Sequence, residues 1–124
     1  PAKFLAALRW LLDNFEPRFV LKVHHDVYVR VDSVVQRLAA LPDDRDLYQG
    51  LVAEGMPRQR HPDHKSHIPD EVYPDLVLPT YIHGAAVLLS RSVARHLSKL
   101  DTIIFPDDVG TALALRAVGV RPTV

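Results

Sequence analysis

The first part of the chain changes from a helical to an extended pattern of hydrophobic positions. Apolar side chains from Phe4 to Phe15 recur at the spacing of one buried helical face, which predicts a helix over residues 3–15. Pro17 ends this helix, because proline lacks the donor for a helical hydrogen bond. Residues 19–23 form a mainly apolar run rich in β-branched side chains, which predicts a buried strand.

The following segments also alternate between helical and extended patterns. A second helix is predicted with Asp32 or Ser33 as its cap, and Pro42 with the acidic residues Asp43 and Asp44 breaks it. Residues 53–80 are rich in proline and histidine without a sustained period, which predicts a long loop. Further strands at 47–52 and 82–89, and helices at 92–100 and 107–118 closed by Gly119, complete an order typical of the α/β class.

Three consecutive polar side chains, His24, His25 and Asp26, follow directly after the first predicted strand. In open α/β sheets, ligands collect outside the carboxyl ends of the strands. An imidazole and a carboxylate at that place can bind a divalent cation, which can in turn neutralise a diphosphate. A polar strand end that faces water accounts for the same three residues without a ligand, and on spacing alone it is the stronger interpretation.

Asp107 and Asp108 form a second group of carboxylates at the start of the last predicted helix. One of them could be a general base that takes a proton from a hydroxyl nucleophile. Both also suit the positive end of the helix dipole, and ordinary capping needs no chemistry. On the residues alone, capping is the stronger interpretation.

A third set of residues could contact a ligand directly. Gly84 in a strand permits close approach of a ligand or another backbone, and Tyr73 and Tyr81 could stack on a sugar ring or base. The same residues could equally form a wall of the core. The histidines of the 53–80 loop have no second cluster of zinc-finger type beside them, so we interpret them as solvated.

Composition excludes several classes of function. The 124 residues suffice for one domain or part of one, and they contain no cysteine for a disulfide or thiolate site. The formal net charge is zero and the basic residues are scattered, which predicts no nucleic-acid partner. No apolar run approaches the length of a membrane span. Glycine-rich phosphate loops and nucleophile elbows are also missing from the sequence.

Four motifs in order carry a resemblance to a known family. Residues 19–29 fit the pattern Phe-x-x-Lys-x-Asp-Asp-Asp-x-Phe/Tyr-Val, with histidine in place of the first two aspartates, and residues 48–50 fit Tyr-x-Gly. A series of lysine, tyrosine, proline, glycine and serine runs from residue 65 to residue 90, and residues 106–109 read Pro-Asp-Asp-Val. Over nearly the whole chain the sequence resembles the β-1,3-galactosyltransferase family of inverting hexosyltransferases, which includes β-1,3-N-acetylglucosaminyltransferases and fringe-like proteins.

The resemblance implies a GT-A type nucleotide-sugar-binding fold, a UDP-sugar donor with Mn²⁺ at its diphosphate, and a glycan or glycoprotein acceptor. Asp26 and His24 take the places of metal ligands in the family pattern, and Asp108 takes that of the catalytic base. Asp107 would orient Asp108 or hold the acceptor. The residues that correspond to the donor-binding part of the family are Lys22, His24, His25, Gly84 and Tyr81.

The departures from the family pattern leave an alternative open. His24 and His25 remove two negative charges from the expected metal site, so the chain could instead be a catalytically inactive relative that serves as a carbohydrate-binding or partner-stabilising module. The resemblance further implies that residues 1–124, including the 53–80 loop, are the central and later part of a catalytic domain. The uridine-binding strands and a membrane anchor would precede them, in a protein on the lumenal side of the Golgi membrane.

Overall fold

Four helices and three strands make up the part of the chain that a computed structural model describes, residues 2–42, 45–104 and 106–123. The order of the elements is the predicted one, and it confirms the α/β class. The predicted break at Asp43 and Asp44 and the end of an apolar segment at Phe105 lie outside the described residues. The elements are α1 (Ala2–Asn14), β1 (Phe19–Val23), α2 (Val31–Ala39), β2 (Tyr48–Ala53), β3 (Tyr81–Ser90), α3 (Arg91–Ser98) and α4 (Asp107–Ala117).

The strands form one sheet in the order β1-β3-β2, in which β3 is antiparallel to both neighbours. This pairing brings the carboxyl end of β1 beside the first half of β3, where Val23 faces Ala86. The prediction that β1 is a buried strand is wrong, because Leu21 and Val23 are 37% and 38% exposed. Only one face of this strand packs on the core, through Val20, and the opposite face meets solvent.

The main core lies between the helices and the sheet. Of the apolar positions predicted for the first helix, Leu5 and Leu8 are buried, whereas Phe15 is 56% exposed. Helix α1 packs on α3, and α4 packs on β3, which buries the apolar stripes of α1 and α3. Burying these stripes supplies most of the driving force that positions the strands. The fully buried side chains of this core include Leu5, Leu8, Tyr48, Leu89, Val93, Leu97 and Leu115.

Helix α2 lies outside this core. It begins at Val31 after Arg30, which makes no side-chain cap hydrogen bond, so the prediction of Asp32 or Ser33 as the cap is wrong. None of its residues is buried, and Val35 is 59% exposed. The apolar face of α2 is therefore only partly covered, because Val34 and Leu38 are half-buried. Among the described residues, no helix combines the length and apolar character that crossing a membrane requires.

The two ends of α4 are determined by glycines. A Cβ added at Gly110 would overlap the backbone carbonyl of Ile104, so the first turn of α4 lies directly on the segment that precedes it. This close approach holds the turn that carries Asp107 and Asp108. Gly119 has φ 82°, and Val120 donates its N–H to the carbonyl of Leu115 at 2.9 Å. The predicted helix end at Gly119 is thereby confirmed.

A buried arginine orders the loop between β2 and β3, residues 54–80. Arg58 is only 5% exposed, and its guanidinium donates to the carbonyls of Asp75 at 2.9 Å and Ile68 at 2.7 Å. It also contacts the carboxylate of Asp70 at 2.5 Å, and this hydrogen bond lowers the pKa of Asp70. One fork of donors thus joins three distant points of a loop that contains no helix. Nothing in the hydrophobic pattern predicts this role for Arg58.

Candidate functional site

A bulge in β3 shapes the site. Gly50 of β2 pairs with Val87, whereas Val52 pairs with Ile82, so residues 83–86 of β3 stand opposite a single residue of β2. Bulges of this kind bend a strand and redirect its side chains. Gly84 lies in the middle of the bulge.

The carboxyl end of β1 meets this bulge. The N–H of His24 donates to the carbonyl of Ala85 at 2.9 Å, and the chain then turns, because Val27 donates back to the carbonyl of His24 at 3.1 Å. Alternation along the strand directs Lys22 and His24 to the same side of the sheet. The Nε2 atom of His24 lies 3.5 Å from the position that a Cβ on Gly84 would occupy.

Asp108 approaches the same point from the start of α4. Its Oδ2 atom is also 3.5 Å from the Cβ position of Gly84, so the imidazole of His24 and this carboxylate are at most twice that distance apart. A Cβ at residue 84 would be in van der Waals contact with both groups, and a longer side chain would take up space beside them. The glycine therefore keeps open a gap that is lined on two sides by groups able to exchange protons.

This gap opens into a cavity of about 360 Å³, here called the Gly84 cavity. It brings together five of the residues predicted from the sequence, namely Lys22, His24, Gly84, Asp107 and Asp108. The structure adds four more lining residues: Lys65, Ser66, His83 and Pro106.

The additional residues differ in how far the sequence could have indicated them. Lys65 belongs to the motif series on which the family resemblance rests, so its place in that series could have indicated a role at the site. His83 has no such signal, because only the bulge in β3 brings it to the cavity wall. Ser66 lies in the loop that Arg58 orders, and this loop brings it to the cavity wall. Local sequence patterns do not reveal that ordering.

A second cavity, of about 250 Å³, adjoins the first and is here called the Tyr81 cavity. Its wall is mostly formed by the loop and by β3, and it has an apolar side that includes Met56 and Leu78. Tyr81, predicted to contact the donor, lines this cavity and is not among the residues of the Gly84 cavity. The residues that line both cavities are Ser66, His83, Pro106 and Asp108.

The family model described as galactosyltransferase matches residues 1–122. The chain belongs to the galactosyltransferase family. Its resemblance to β-1,3-glycosyltransferases is confirmed by its curated relatives as well. In three such relatives, roughly one third of the aligned residues are identical to those of this chain. The chain spans about a third of the length of each relative.

Two of these relatives are β-1,3-N-acetylglucosaminyltransferases. The chain is 32% identical over 127 residues to a lactosylceramide 1,3-N-acetyl-beta-D-glucosaminyltransferase of Xenopus laevis, a match that covers 97% of the chain and 33% of the relative. It is 34% identical over 125 residues to the human acetylgalactosaminyl-O-glycosyl-glycoprotein beta-1,3-N-acetylglucosaminyltransferase, covering 98% and 33%. A third relative, human beta-1,3-galactosyltransferase 9, is 29% identical over 126 residues, covering 97% and 34%.

Two of the residues predicted for the metal and donor site of this galactosyltransferase-family chain lie away from the cavity. His25 and Asp26 are exposed in the turn after β1 and do not line the Gly84 cavity. Over the described ranges, no three histidine, cysteine or acidic side chains are grouped so that they could hold a metal ion. Of the two predicted metal ligands, Asp26 and His24, only His24 lines the cavity. This donor set does not fit a Mn²⁺ ion held by the protein.

Lys22 is held in a defined orientation at the edge of the cavity. Its side chain is only 23% exposed, and its Nζ atom lies 4.8 Å from the ring centroid of Phe4, a cation–π contact. The same atom is 3.9 Å from Oδ2 of Asp107. This distance is longer than a hydrogen bond, so the ammonium donors of Lys22 are not occupied by that carboxylate.

The charge of Asp108 is felt by two neighbouring tyrosines. The hydroxyl of Tyr48 is buried and accepts the N–H of Ile82 at 3.1 Å. Burial is the largest cause that raises the pKa of Tyr48, the hydrogen bond from Ile82 lowers it, and the negative charge of Asp108 raises it; together they bring the pKa to about 12. Burial and Asp108 also raise the pKa of Tyr81. Both phenols therefore stay protonated beside this carboxylate.

The raised pKa of Tyr48 predicts a loss of stability at high pH. Below pH 10 the phenol is protonated in both the folded and the unfolded chain, whereas between pH 10 and about 12 only the unfolded chain releases the proton. We expect the free energy of unfolding to fall by roughly 2–3 kcal/mol over this interval, measured by urea titration at a series of pH values.

Two variants separate this effect from general alkaline denaturation. Tyr48→Phe should be less stable at neutral pH, because Ile82 loses its acceptor, but its stability should decline less above pH 10. Tyr28→Phe should follow the parent profile, because that ring is 90% exposed. Equal slopes for the parent and Tyr48→Phe would contradict the assignment.

Proposed function

We propose that this chain carries the reaction site of an inverting hexosyltransferase, which transfers a sugar from a UDP-sugar to a glycan or glycoprotein through a β-1,3 linkage. The observation that carries the proposal is the position of Asp108 in the wall shared by two adjoining cavities. A base for direct transfer must reach the acceptor hydroxyl while that hydroxyl faces the donor carbon. Asp108 meets this requirement if the donor occupies the Gly84 cavity and the acceptor occupies the Tyr81 cavity.

The chemistry follows from that arrangement. The carboxylate of Asp108 accepts the proton of the acceptor hydroxyl, whose oxygen attacks C1 of the donor sugar on the face opposite UDP. The bond between C1 and the diphosphate oxygen breaks, its electron pair leaves with UDP, and the configuration at C1 inverts. Gly84 admits the sugar because a side chain there would take up space beside His24 and Asp108. Asp107 acts as a positioning residue, since it stands 3.9 Å from the ammonium of Lys22.

The wider setting of the protein is part of the same proposal. The family membership supports a GT-A type fold for the domain and a place on the lumenal side of the Golgi membrane. Galactose and N-acetylglucosamine are the sugars to test first, because the named relatives are β-1,3-galactosyltransferases and β-1,3-N-acetylglucosaminyltransferases. Mn²⁺ is left out of the proposed steps, because the donor set around His24 does not fit it.

Chemical-shift mapping tests the assignment of the two cavities. UDP-galactose or UDP-N-acetylglucosamine added to the ¹⁵N-labelled full-length protein should shift the amide signals of Gly84, Lys65 and Asp108. A galactose-terminated oligosaccharide added afterwards should shift those of Gln59 and Tyr81. A third cavity, lined by Glu54, Arg116 and Arg121 among others, provides the internal control. Shifts confined to that cavity, or none in a folded chain, would contradict the proposal.

A further inference from the structure

We infer that two lysines, Lys22 and Lys65, neutralise the donor diphosphate in place of a divalent cation, so that UDP binds to this chain without metal. The inference rests on the proposed function, because it assigns the diphosphate to the Gly84 cavity. It concerns the leaving group rather than the attacking hydroxyl. The cavity offers few ligands for a cation, and two lysines line it. Their positive charges lie where negative charge develops on UDP.

The ligands available for a cation are few. Mn²⁺ binds to converging oxygen and imidazole ligands, and a carboxylate supplies the charge that holds it. At the carboxyl end of β1 the sequence provides two histidines and one aspartate, and the aspartate, Asp26, is exposed in the turn outside the cavity. His24 alone of the three lines the cavity. One imidazole without a neighbouring carboxylate from the same motif is a weak anchor for a doubly charged ion.

Two ammonium groups reach the same cavity from different parts of the fold. Lys22 comes from β1, and its contacts with Phe4 and Asp107 fix its direction before any ligand binds. Lys65 comes from the ordered loop, is exposed, and forms no ion pair with another described residue. Lysine binds phosphate as a point charge with three donors. One fixed and one adaptable lysine therefore provide two positive charges for the diphosphate.

These charges act where the reaction needs them. When the bond between C1 and the diphosphate oxygen breaks, the electron pair and the negative charge move to UDP. Positive groups that are already in place stabilise this developing charge without reorganisation, as a metal ion would. The acceptor proton passes to Asp108, so the lysines take no part in proton transfer. Atoms and charge balance without a further reactant.

Calorimetric titration of UDP into the full-length protein tests the inference. The Kd should be the same in EDTA and in MnCl₂. Lys65→Met keeps most of the side-chain length but removes the charge, and it should weaken UDP binding in EDTA by about 10- to 100-fold. Lys99→Met is the matched control, because Lys99 is exposed at the end of α3 and lines neither cavity.

The outcomes distinguish this inference from the proposed function. Binding that requires Mn²⁺, or binding in EDTA that Lys65→Met leaves unchanged, would overturn the role of the lysines while a UDP site remains. No UDP binding in either buffer by a folded chain would overturn the donor assignment itself, and with it the inference.

Discussion

Asp108→Asn should lower kcat for sugar transfer by the full-length protein by roughly 10²- to 10⁴-fold, the usual contribution of a general base. The amide cannot accept the proton of the acceptor hydroxyl. The fold should be preserved, because the Oδ1 atom of Asp108 accepts the N–H of Val109 at 2.9 Å and an asparagine oxygen can do the same. The KM for the UDP-sugar should change little. Steady-state kinetics with donor and acceptor varied separately provide the measurement.

A matched variant and a spectroscopic readout complete this test. Asp101→Asn removes an exposed carboxylate near α4 that lines neither cavity, and kcat should stay at the parent value. In Asp108→Asn the pKa of Tyr48 and that of Tyr81 should both fall, because the charge that raises them is gone. A folded Asp108→Asn protein with kcat near the parent value would show that Asp108 is not the base.

Arg58→Ala should lower the free energy of unfolding of the chain by about 3 kcal/mol, because one buried and one partly buried carbonyl lose their donor. Those carbonyls belong to Asp75 and Ile68, and the arginine side chain itself is almost completely buried. Since Ile68 lines the Tyr81 cavity, the loop should also open more often near that cavity. Urea unfolding measures the global effect, and amide hydrogen exchange at Ile68 measures the local one.

Arg60→Ala is the control for this prediction. Arg60 is an exposed residue of the same loop, and its replacement should change the free energy of unfolding by less than about 0.5 kcal/mol. If the two alanine variants unfold at the same urea concentration, the buried guanidinium of Arg58 does not order the loop.

The sequence predicted those parts of the fold that depend on local periodicity. Helix α1 and the glycine that ends α4 follow from spacing and backbone preference, which act within a few residues. The environment of an element was harder to predict. The outer face of β1 was expected to be buried, yet it is exposed, because a run of apolar residues does not identify a packing partner for each face.

The candidate site was predictable to the extent that it lies in motifs. Lys22, His24, Gly84 and Asp108 come from three separate motifs, and they line one cavity. The bulge that brings His83 to the cavity wall depends on the register between β2 and β3. A loop of 27 residues separates these two strands, so local patterns in the sequence do not determine their register. The position of Asp26 outside the cavity depends on where β1 stops and turns, and a polar triplet is compatible with either outcome.

The configuration of the product tests the central claim most directly. The full-length protein, given a UDP-α-sugar and a galactose-terminated acceptor, should form a β-linked product, identified by the proton coupling of the new anomeric signal in NMR spectra recorded during turnover. This outcome follows from direct attack by a hydroxyl that Asp108 deprotonates, on the face opposite UDP. An α-linked product would contradict the account, because retention requires a different arrangement of groups around the donor carbon.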